Sequence, residues 1–221
     1  MVKMRITIVY DNTSLSSNLK ADWGFACFIE YLDTRILFDT GTKSQILLDN
    51  MKILDLDPTE ADFVFISHKH SDHMGGLLSI MELNKTAQIF LPVKLDASLN
   101  DGRLHIIKPT QYIGDGLITS GLLECKERVG LQEQSLFLEF PKGLVIIAGC
   151  SHSGVRQIME KSKEYGKSFA LIGGLHGFDE FEILEDLEFV CPTHCTKHIQ
   201  KIKELYPSKY IKGGVGTIIE L

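Results

Sequence analysis

The sequence lacks the features of a membrane-spanning, exported or nucleic-acid-binding chain. No stretch of it is long and apolar enough to cross a bilayer. Residues 1–5 run straight into a strand-like alternation, without the apolar core or cleavage site of a signal peptide. The net charge of −6 gives no general attraction to nucleic acid or to an anionic membrane surface. We therefore expect a cytoplasmic protein that binds neither nucleic acid nor membrane.

The cysteine pattern is not that of a disulfide framework. The five cysteines are an odd number and lie scattered along the chain. Cys191 and Cys195 flank His194, but no second cysteine pair lies nearby to complete a zinc knuckle. We expect these side chains to be buried, reduced thiols.

The chain also lacks linkers, low-complexity segments and close repeats. A hydrophobic content of 44% over 221 residues is sufficient for one large core. We therefore predict a single domain over residues 1–221. Its oligomeric state is not specified by the sequence.

Apolar periodicity predicts many short strands separated by a few helices. Expected strands are 5–10, 25–31, 35–38, 63–66, 88–91, 104–108, 136–140, 144–148, 169–172, 189–190 and 217–221. Expected helices are 44–54, a segment after Gly76, 155–165, 180–187 and 196–205. Two mixed sheets packed face to face, with helices outside, would satisfy this order as an α/β fold.

The most informative segment is His68-Lys69-His70-Ser71-Asp72-His73, which reads H-x-H-x-D-H. It places four candidate metal ligands within six positions, directly after the apolar run 63–66. Imidazole nitrogens and a carboxylate are suitable ligands for zinc, manganese or iron. A purely structural role would leave four polar groups at the end of a buried strand, each needing its own partner. The segment therefore predicts a metal site on the loop that follows the strand.

Four other strand-like runs end in polar residues next to glycine, or in a histidine. These endings are Asp39-Thr40-Gly41, Cys150-Ser151-His152-Ser153-Gly154, Gly173-Gly174-Leu175-His176 and Thr193-His194. Strand ends in a layered α/β protein gather at one edge, so we expect these loops to converge with the H-x-H-x-D-H segment.

Taken in this order, the motifs resemble those of the metallo-β-lactamase superfamily over nearly the whole chain. The resemblance implies a four-layer αβ/βα sandwich with one or two divalent metal ions at the upper edge of its sheets. It implies zinc first, with manganese or iron as alternatives. The implied ligands are His68, His70 and His152 for one metal and Asp72, His73 and His194 for the other, with Asp39 behind them orienting the ligand loop.

The sequence departs from the superfamily where an aspartate usually bridges the two metals, because the matching strand ends in His176. A neutral imidazole has one lone pair and cannot bridge two ions as a carboxylate does. His176 is therefore a ligand of one metal, an acid/base catalyst, or a loop histidine that caps a backbone carbonyl. Together with Asp72, it is our candidate catalytic residue.

The superfamily resemblance favours a hydrolase that uses a metal-activated water on a phosphate-containing or ester-type small molecule. Members that reduce dioxygen or nitric oxide resemble H-x-E-x-D, whereas residue 70 is histidine here. A narrower resemblance, to the 7,8-dihydropterin-6-methyl-4-(β-D-ribofuranosyl)aminobenzene-5′-phosphate synthase subfamily, gives the alternative. That alternative is a group transfer that joins a dihydropterin pyrophosphate to a ribofuranosylaminobenzene phosphate. A third possibility is a non-catalytic metal-binding module with a closed ligand shell.

Overall fold

The computed structural model describes residues 3–94, 101–125 and 129–221. Its chain forms two compact units, residues 1–107 with 214–221 and residues 108–213. Each unit contains a mixed sheet with helices. Parts of the segments 94–102 and 111–130 lie outside the described residues.

The first unit is built around a seven-stranded sheet. Its elements up to the unit boundary are β1 (Met4–Tyr10), β2 (Ala26–Tyr31), β3 (Thr34–Phe38), α1 (Ser44–Ile53), β4 (Phe63–Phe65), α2 (Ser71–Met74), α3 (Leu77–Leu83), β5 (Gln88–Leu91) and β6 (Leu104–Ile106).

The second unit contains a six-stranded sheet and a small two-stranded one. Its elements are β7 (Gln111–Gly114), β8 (Leu117–Thr119), β9 (Leu123–Glu124), β10 (Gln132–Glu133), β11 (Leu136–Phe140), β12 (Gly143–Ala148), α4 (Val155–Ser162), β13 (Ser168–Gly174), β14 (Phe189–Thr193) and α5 (Ile199–Leu205). The closing strand β15 (Ile218–Glu220) returns to the first unit and pairs with β1.

In the first unit, the strand order is β15-β1-β2-β3-β4-β5-β6. Strands β3 to β6 are parallel neighbours, so their carboxyl ends share one edge. Leu47 of α1 and Ile80 of α3 are fully buried in one apolar cluster with Leu37 and Val64 of the sheet. This packing fixes β3 and β4, whose ends carry Asp39 and the H-x-H-x-D-H segment.

In the second unit, the six-stranded order is β14-β13-β12-β11-β8-β7. Strands β12, β13 and β14 are parallel, so the loops that follow them leave from the same edge. Ile158 of α4 and Ile202 of α5 are fully buried in one apolar cluster with Ile146 and Leu171 of the sheet. The three loops that carry His152, His176 and His194 thus start from a rigid parallel core.

Two local expectations were wrong in detail. The segment 180–187 is not an α-helix but contains a single 3₁₀ turn, Phe181–Leu184. The H-x-H-x-D-H segment is not wholly a loop, because Ser71–Met74 forms one helical turn. Within the described residues, no helix has both the length and the apolar composition needed to span a bilayer.

Candidate metal centre

The H-x-H-x-D-H segment is divided between a loop and a helical turn. His68 and His70 lie on the loop after β4, and His70 is the N-cap residue of α2. Asp72 and His73 lie on α2 itself. The backbone N–H of His73 donates to the carbonyl of His70, at 3.0 Å, which fixes the turn between the ligand pairs.

Asp39 is fully buried and binds the segment at three points. Its Oδ1 accepts from the backbone N–H of Ser67 at 2.7 Å, and its Oδ2 accepts from the Ser67 hydroxyl at 2.8 Å. Its Oδ2 also lies 2.7 Å from Nδ1 of His73. Nδ1 of His68 lies 2.9 Å from the Ser67 Oγ atom. One carboxylate therefore orients His73 directly and His68 through Ser67.

These contacts leave the Nε2 atoms of the two buried histidines directed toward other ligand atoms. Nε2 of His68 lies 3.0 Å from Nδ1 of His70, and Nε2 of His73 lies 3.6 Å from Oδ2 of Asp72. Two ligands of a tetrahedral zinc, each about 2.0–2.1 Å from the ion, are about 3.4 Å apart. The first unit thus brings its four predicted ligands close together, at spacings that a divalent metal accepts, with Asp39 behind them.

In the second unit, the loop before α4 is held by a carboxylate that the sequence analysis missed. Oε1 of Glu133 accepts from the backbone N–H groups of Cys150 and Ser151, at 2.8 and 2.9 Å. Oε2 of Glu133 accepts from the N–H of His152 at 2.6 Å. Glu133 is 1% exposed, so these bonds are made away from bulk water. Its side chain fixes the backbone at the candidate ligand His152.

The loops after β12, β13 and β14 are also bonded to one another. The Ser151 hydroxyl donates to the carbonyl of Gly174 at 2.7 Å. The N–H of Leu175 donates to the Thr196 hydroxyl at 2.9 Å, and the N–H of Lys197 donates to the carbonyl of His176 at 2.8 Å. The loops of His152, His176 and His194 are therefore one hydrogen-bonded assembly.

His176 lies beside His152 and faces solvent. The two ring centroids are 4.9 Å apart, and His176 is exposed whereas His194 is buried. A cavity of about 220 Å³ is lined by the residues 151–155 and 175–180, including both rings. The structure thus places His176 where a ligand in this cavity can reach it.

Strained backbone is concentrated at these strand ends. Of the non-glycine residues that the structure describes, six have a positive φ angle. Four of the six lie on the candidate-site loops, namely Asp39 (55°), Ser151 (60°), His176 (45°) and His194 (50°). Each such residue costs about 1–3 kcal/mol and persists only where its surroundings hold it. The hydrogen bonds described above provide that hold.

The structure also tests the expectation that the cysteines are buried, reduced thiols. All five cysteines are among the described residues and none is in a disulfide, but Cys195 is partly exposed while the others are buried. The Sγ atoms of Cys150 and Cys195 lie 3.2 Å apart. A Cβ atom on Gly174 would lie 2.4 Å from the carbonyl oxygen of Gly149 and 2.8 Å from the Cys195 Sγ, so the close backbone approach requires glycine there.

Comparisons with known proteins show what the chain as a whole is similar to. A family model for the β-lactamase superfamily domain matches residues 34–113. The 7,8-dihydropterin-6-methyl-4-(β-D-ribofuranosyl)-aminobenzene-5′-phosphate synthase of Methanocaldococcus jannaschii is 27% identical, over 86% of this chain and 86% of its own.

Solved structures extend the similarity to the fold. Tm1679, a metal-dependent hydrolase of the β-lactamase superfamily, has 24% identity over 99% of each chain and a TM-score of 0.76. YhfI from Bacillus subtilis, a metallo-β-lactamase fold protein, has 12% identity over the full length of both chains and a TM-score of 0.74. The resemblance and the α/β sandwich fold that it implied are confirmed.

Proposed function

From the metallo-β-lactamase fold of this chain and the donor geometry of its units, we propose that it is a metal-dependent hydrolase. Its substrate is a phosphate-containing or ester-type small molecule. The observation that carries the proposal is the Asp39 network, because it directs the imidazoles of His68 and His73 toward further ligand atoms. A histidine kept for packing alone does not need this orientation.

The proposed ligand sets follow the sequence motifs. His68, His70 and His152 hold one divalent ion, and Asp72, His73 and His194 hold the second. Zinc suits these nitrogen and oxygen donors, and manganese or iron would also be accepted. The local order within each unit supports this assignment, since every one of these residues lies on a loop or turn fixed by hydrogen bonds.

When bound, such ions lower the pKa of a coordinated water from about 15.7 to about 7 and polarise a substrate oxygen. The chain's own residues then have three tasks. Asp72 orients the attacking water, because its carboxylate can accept a hydrogen bond. His176 exchanges a proton with the leaving group, because it is exposed beside a cavity. Glu133 and Asp39 keep the loops in place.

A substrate panel tests the hydrolase proposal. Phosphodiesters, thioesters and lactones are assayed with zinc or manganese, using the wild type and His68→Ala. His105→Ala is the matched control, because His105 is an exposed histidine that bonds Gln88 on the neighbouring strand. We expect at least one substrate to be turned over by the wild type and by His105→Ala but not by His68→Ala. Equal rates for His68→Ala and the wild type would reject the proposal.

A second candidate is the group transfer, which the similarity to the Methanocaldococcus jannaschii synthase favours. In this reaction, an arylamine or its ring displaces pyrophosphate from a dihydropterin ester. No water needs to be activated, and the chain's residues orient the two reactants. Pyrophosphate release that requires the arylamine would support this candidate. Release at the same rate without the amine would return the assignment to hydrolysis.

A further inference from the structure

Trp23 is the one tryptophan of the chain and is 56% exposed. Single exposed apolar side chains are common on protein surfaces and need no explanation by themselves. Trp23 differs because its indole Nε1 donates a hydrogen bond to Oδ2 of Asp72 at 2.9 Å. A large aromatic surface thus lies directly beside a proposed metal ligand.

The backbone around Trp23 is anchored on both sides. The N–H of Gly24 donates to Oδ1 of Asn12 at 3.1 Å, and the N–H of Phe25 donates to the carbonyl of Asp72 at 3.1 Å. Gly24 has a φ angle of 143°, and a Cβ atom there would lie 2.6 Å from the Asp72 carbonyl oxygen. Glycine at this position therefore allows the Trp23 segment to lie against the backbone of α2.

The residue before Trp23 is fixed as well. Asp22 accepts a hydrogen bond from the Tyr10 hydroxyl at 2.6 Å and forms an ion pair with Lys43 at 3.2 Å. Burial, together with this bond to Asp22, raises the pKa of Tyr10 to about 12, so Tyr10 remains a donor at physiological pH. The indole ring is held from its backbone and from its Nε1 atom, while more than half of its surface faces solvent.

We propose that Trp23 is a stacking surface for a planar aromatic or heteroaromatic ring of the substrate. This inference rests on the proposed function for the position of the reacting group, which would lie next to Asp72. An indole face binds planar rings by stacking, and its anchored ring loses little conformational freedom when it does so. The substrate class then narrows to small molecules that carry such a ring near a phosphate or ester group. Aliphatic lactones and simple sugar phosphates would bind without this contribution.

The test compares ligands that differ in the ring. Adenosine 5′-monophosphate and ribose 5-phosphate share the sugar and phosphate, and 6-hydroxymethylpterin offers a second ring. Their dissociation constants are measured by calorimetry on the metal-loaded wild type, Trp23→Phe and Trp23→Ala. Tyr112→Ala is the matched control, because Tyr112 is an aromatic residue with a similar exposure of 55% in the other unit. Quenching of the single tryptophan's emission in the wild type is an independent readout.

We expect Trp23→Ala to weaken binding of at least one ring-bearing ligand about tenfold or more, while ribose 5-phosphate changes less than twofold. Trp23→Phe should retain ring binding to within about threefold, because a phenyl face still stacks. Tyr112→Ala should match the wild type. The inference is overturned if neither ring-bearing ligand binds the wild type more tightly than ribose 5-phosphate. It is also overturned if Trp23→Ala weakens all three ligands equally or none of them.

Failure of the hydrolase proposal can be distinguished from failure of the stacking proposal. Ring binding is measured at equilibrium, so it does not depend on turnover. A protein that shows the ring preference but no metal-dependent hydrolysis would contradict the proposed reaction and leave the stacking surface in place. Metal-dependent hydrolysis without any preference for ring-bearing ligands would support the proposed reaction and overturn the stacking surface.

Discussion

The two units hold their candidate ligands in different ways. In the first unit, the candidate ligands lie within six positions of sequence, and Asp39 orients His73 directly and His68 through Ser67. In the second unit, His152, His176 and His194 come from three separate loops, and Glu133 binds backbone N–H groups. Local motifs allow side chains to be oriented directly. Dispersed ligands require the backbone of each loop to be fixed first.

The largest effect is expected from removing the carboxylate of Glu133, which binds the backbone N–H groups of the His152 loop. Glu133→Ala leaves three N–H groups without their acceptor, two of them buried and one partly buried, at about 1–3 kcal/mol for each buried group. We expect the free energy of unfolding to fall by about 4 kcal/mol or more, measured by urea denaturation. Glu124→Ala is the control, because Glu124 is exposed on the paired strand β9 and should change stability by about 0.5 kcal/mol or less. Equal stabilities of the two variants would contradict the role of Glu133.

The next prediction distinguishes an acid/base role of His176 in the second unit from a role as a metal ligand. His176→Gln should lower kcat about 100-fold or more while the metal content stays at the wild-type level, because a general acid/base is lost. Metal content is measured by elemental analysis, and His198→Gln is the control, since His198 lies at the start of α5. Loss of one metal equivalent would identify His176 as a ligand instead. An unchanged kcat would leave it as a loop histidine.

A smaller effect is expected from replacing Asp39, whose carboxylate orients the side chains of the candidate ligands His73 and His68. Asp39→Asn keeps the size of the group but removes the charge that orients His73, so metal affinity should fall about 10- to 100-fold. Competition with a chromogenic chelator measures this change. Asp49→Asn is the control, because Asp49 pairs with Lys20 at the surface. If Asp39→Asn binds metal as the wild type does, Asp39 does not orient the ligands.

The smallest effect concerns a carboxylate outside both sites. Hydrogen bonds from Arg103 lower the pKa of Asp101 from 3.8 to about 2. Because the folded-state pKa is depressed, the stabilisation is complete above about pH 4 and is lost as the pH falls toward 2. The pair is partly exposed, so we expect about 1 kcal/mol or less. Asp101→Asn should show a correspondingly smaller loss of stability between pH 4 and 2, and an identical pH profile would contradict this assignment.

The sequence predicted most strands and the juxtaposition of the first unit's candidate ligands because both depend on local patterns. Strand β4 is a short apolar run, and His68 and His70 follow it directly. Strand β7 was missed because it is largely exposed and has no apolar alternation, and the three-residue strand β8 was missed with it. The acidic segment 180–187 buries Leu184 and Leu187, which is the spacing that suggested a helix, but only Phe181–Leu184 forms a single 3₁₀ turn.

Non-local contacts account for what the sequence analysis did not identify. Glu133 binds N–H groups 17 to 19 positions away, and Trp23 reaches Asp72 across 49 positions. Neither residue has a motif around it, because a backbone N–H group donates to any nearby carboxylate, and an indole N–H donates to any nearby acceptor. Only the pairing of strands and the path of the loop after β1 bring these groups together.

The positive φ angles at Asp39, Ser151, His176 and His194 have a practical consequence for handling the protein. If the bonds that hold these residues weaken, the backbone can relax locally and turn the side chains away while both sheets stay intact. Preparations of this kind would keep a normal circular dichroism spectrum, because both sheets stay intact, but their candidate ligands would no longer be oriented to bind a metal. The amount of metal bound per chain is therefore a better test of a preparation than its secondary-structure content.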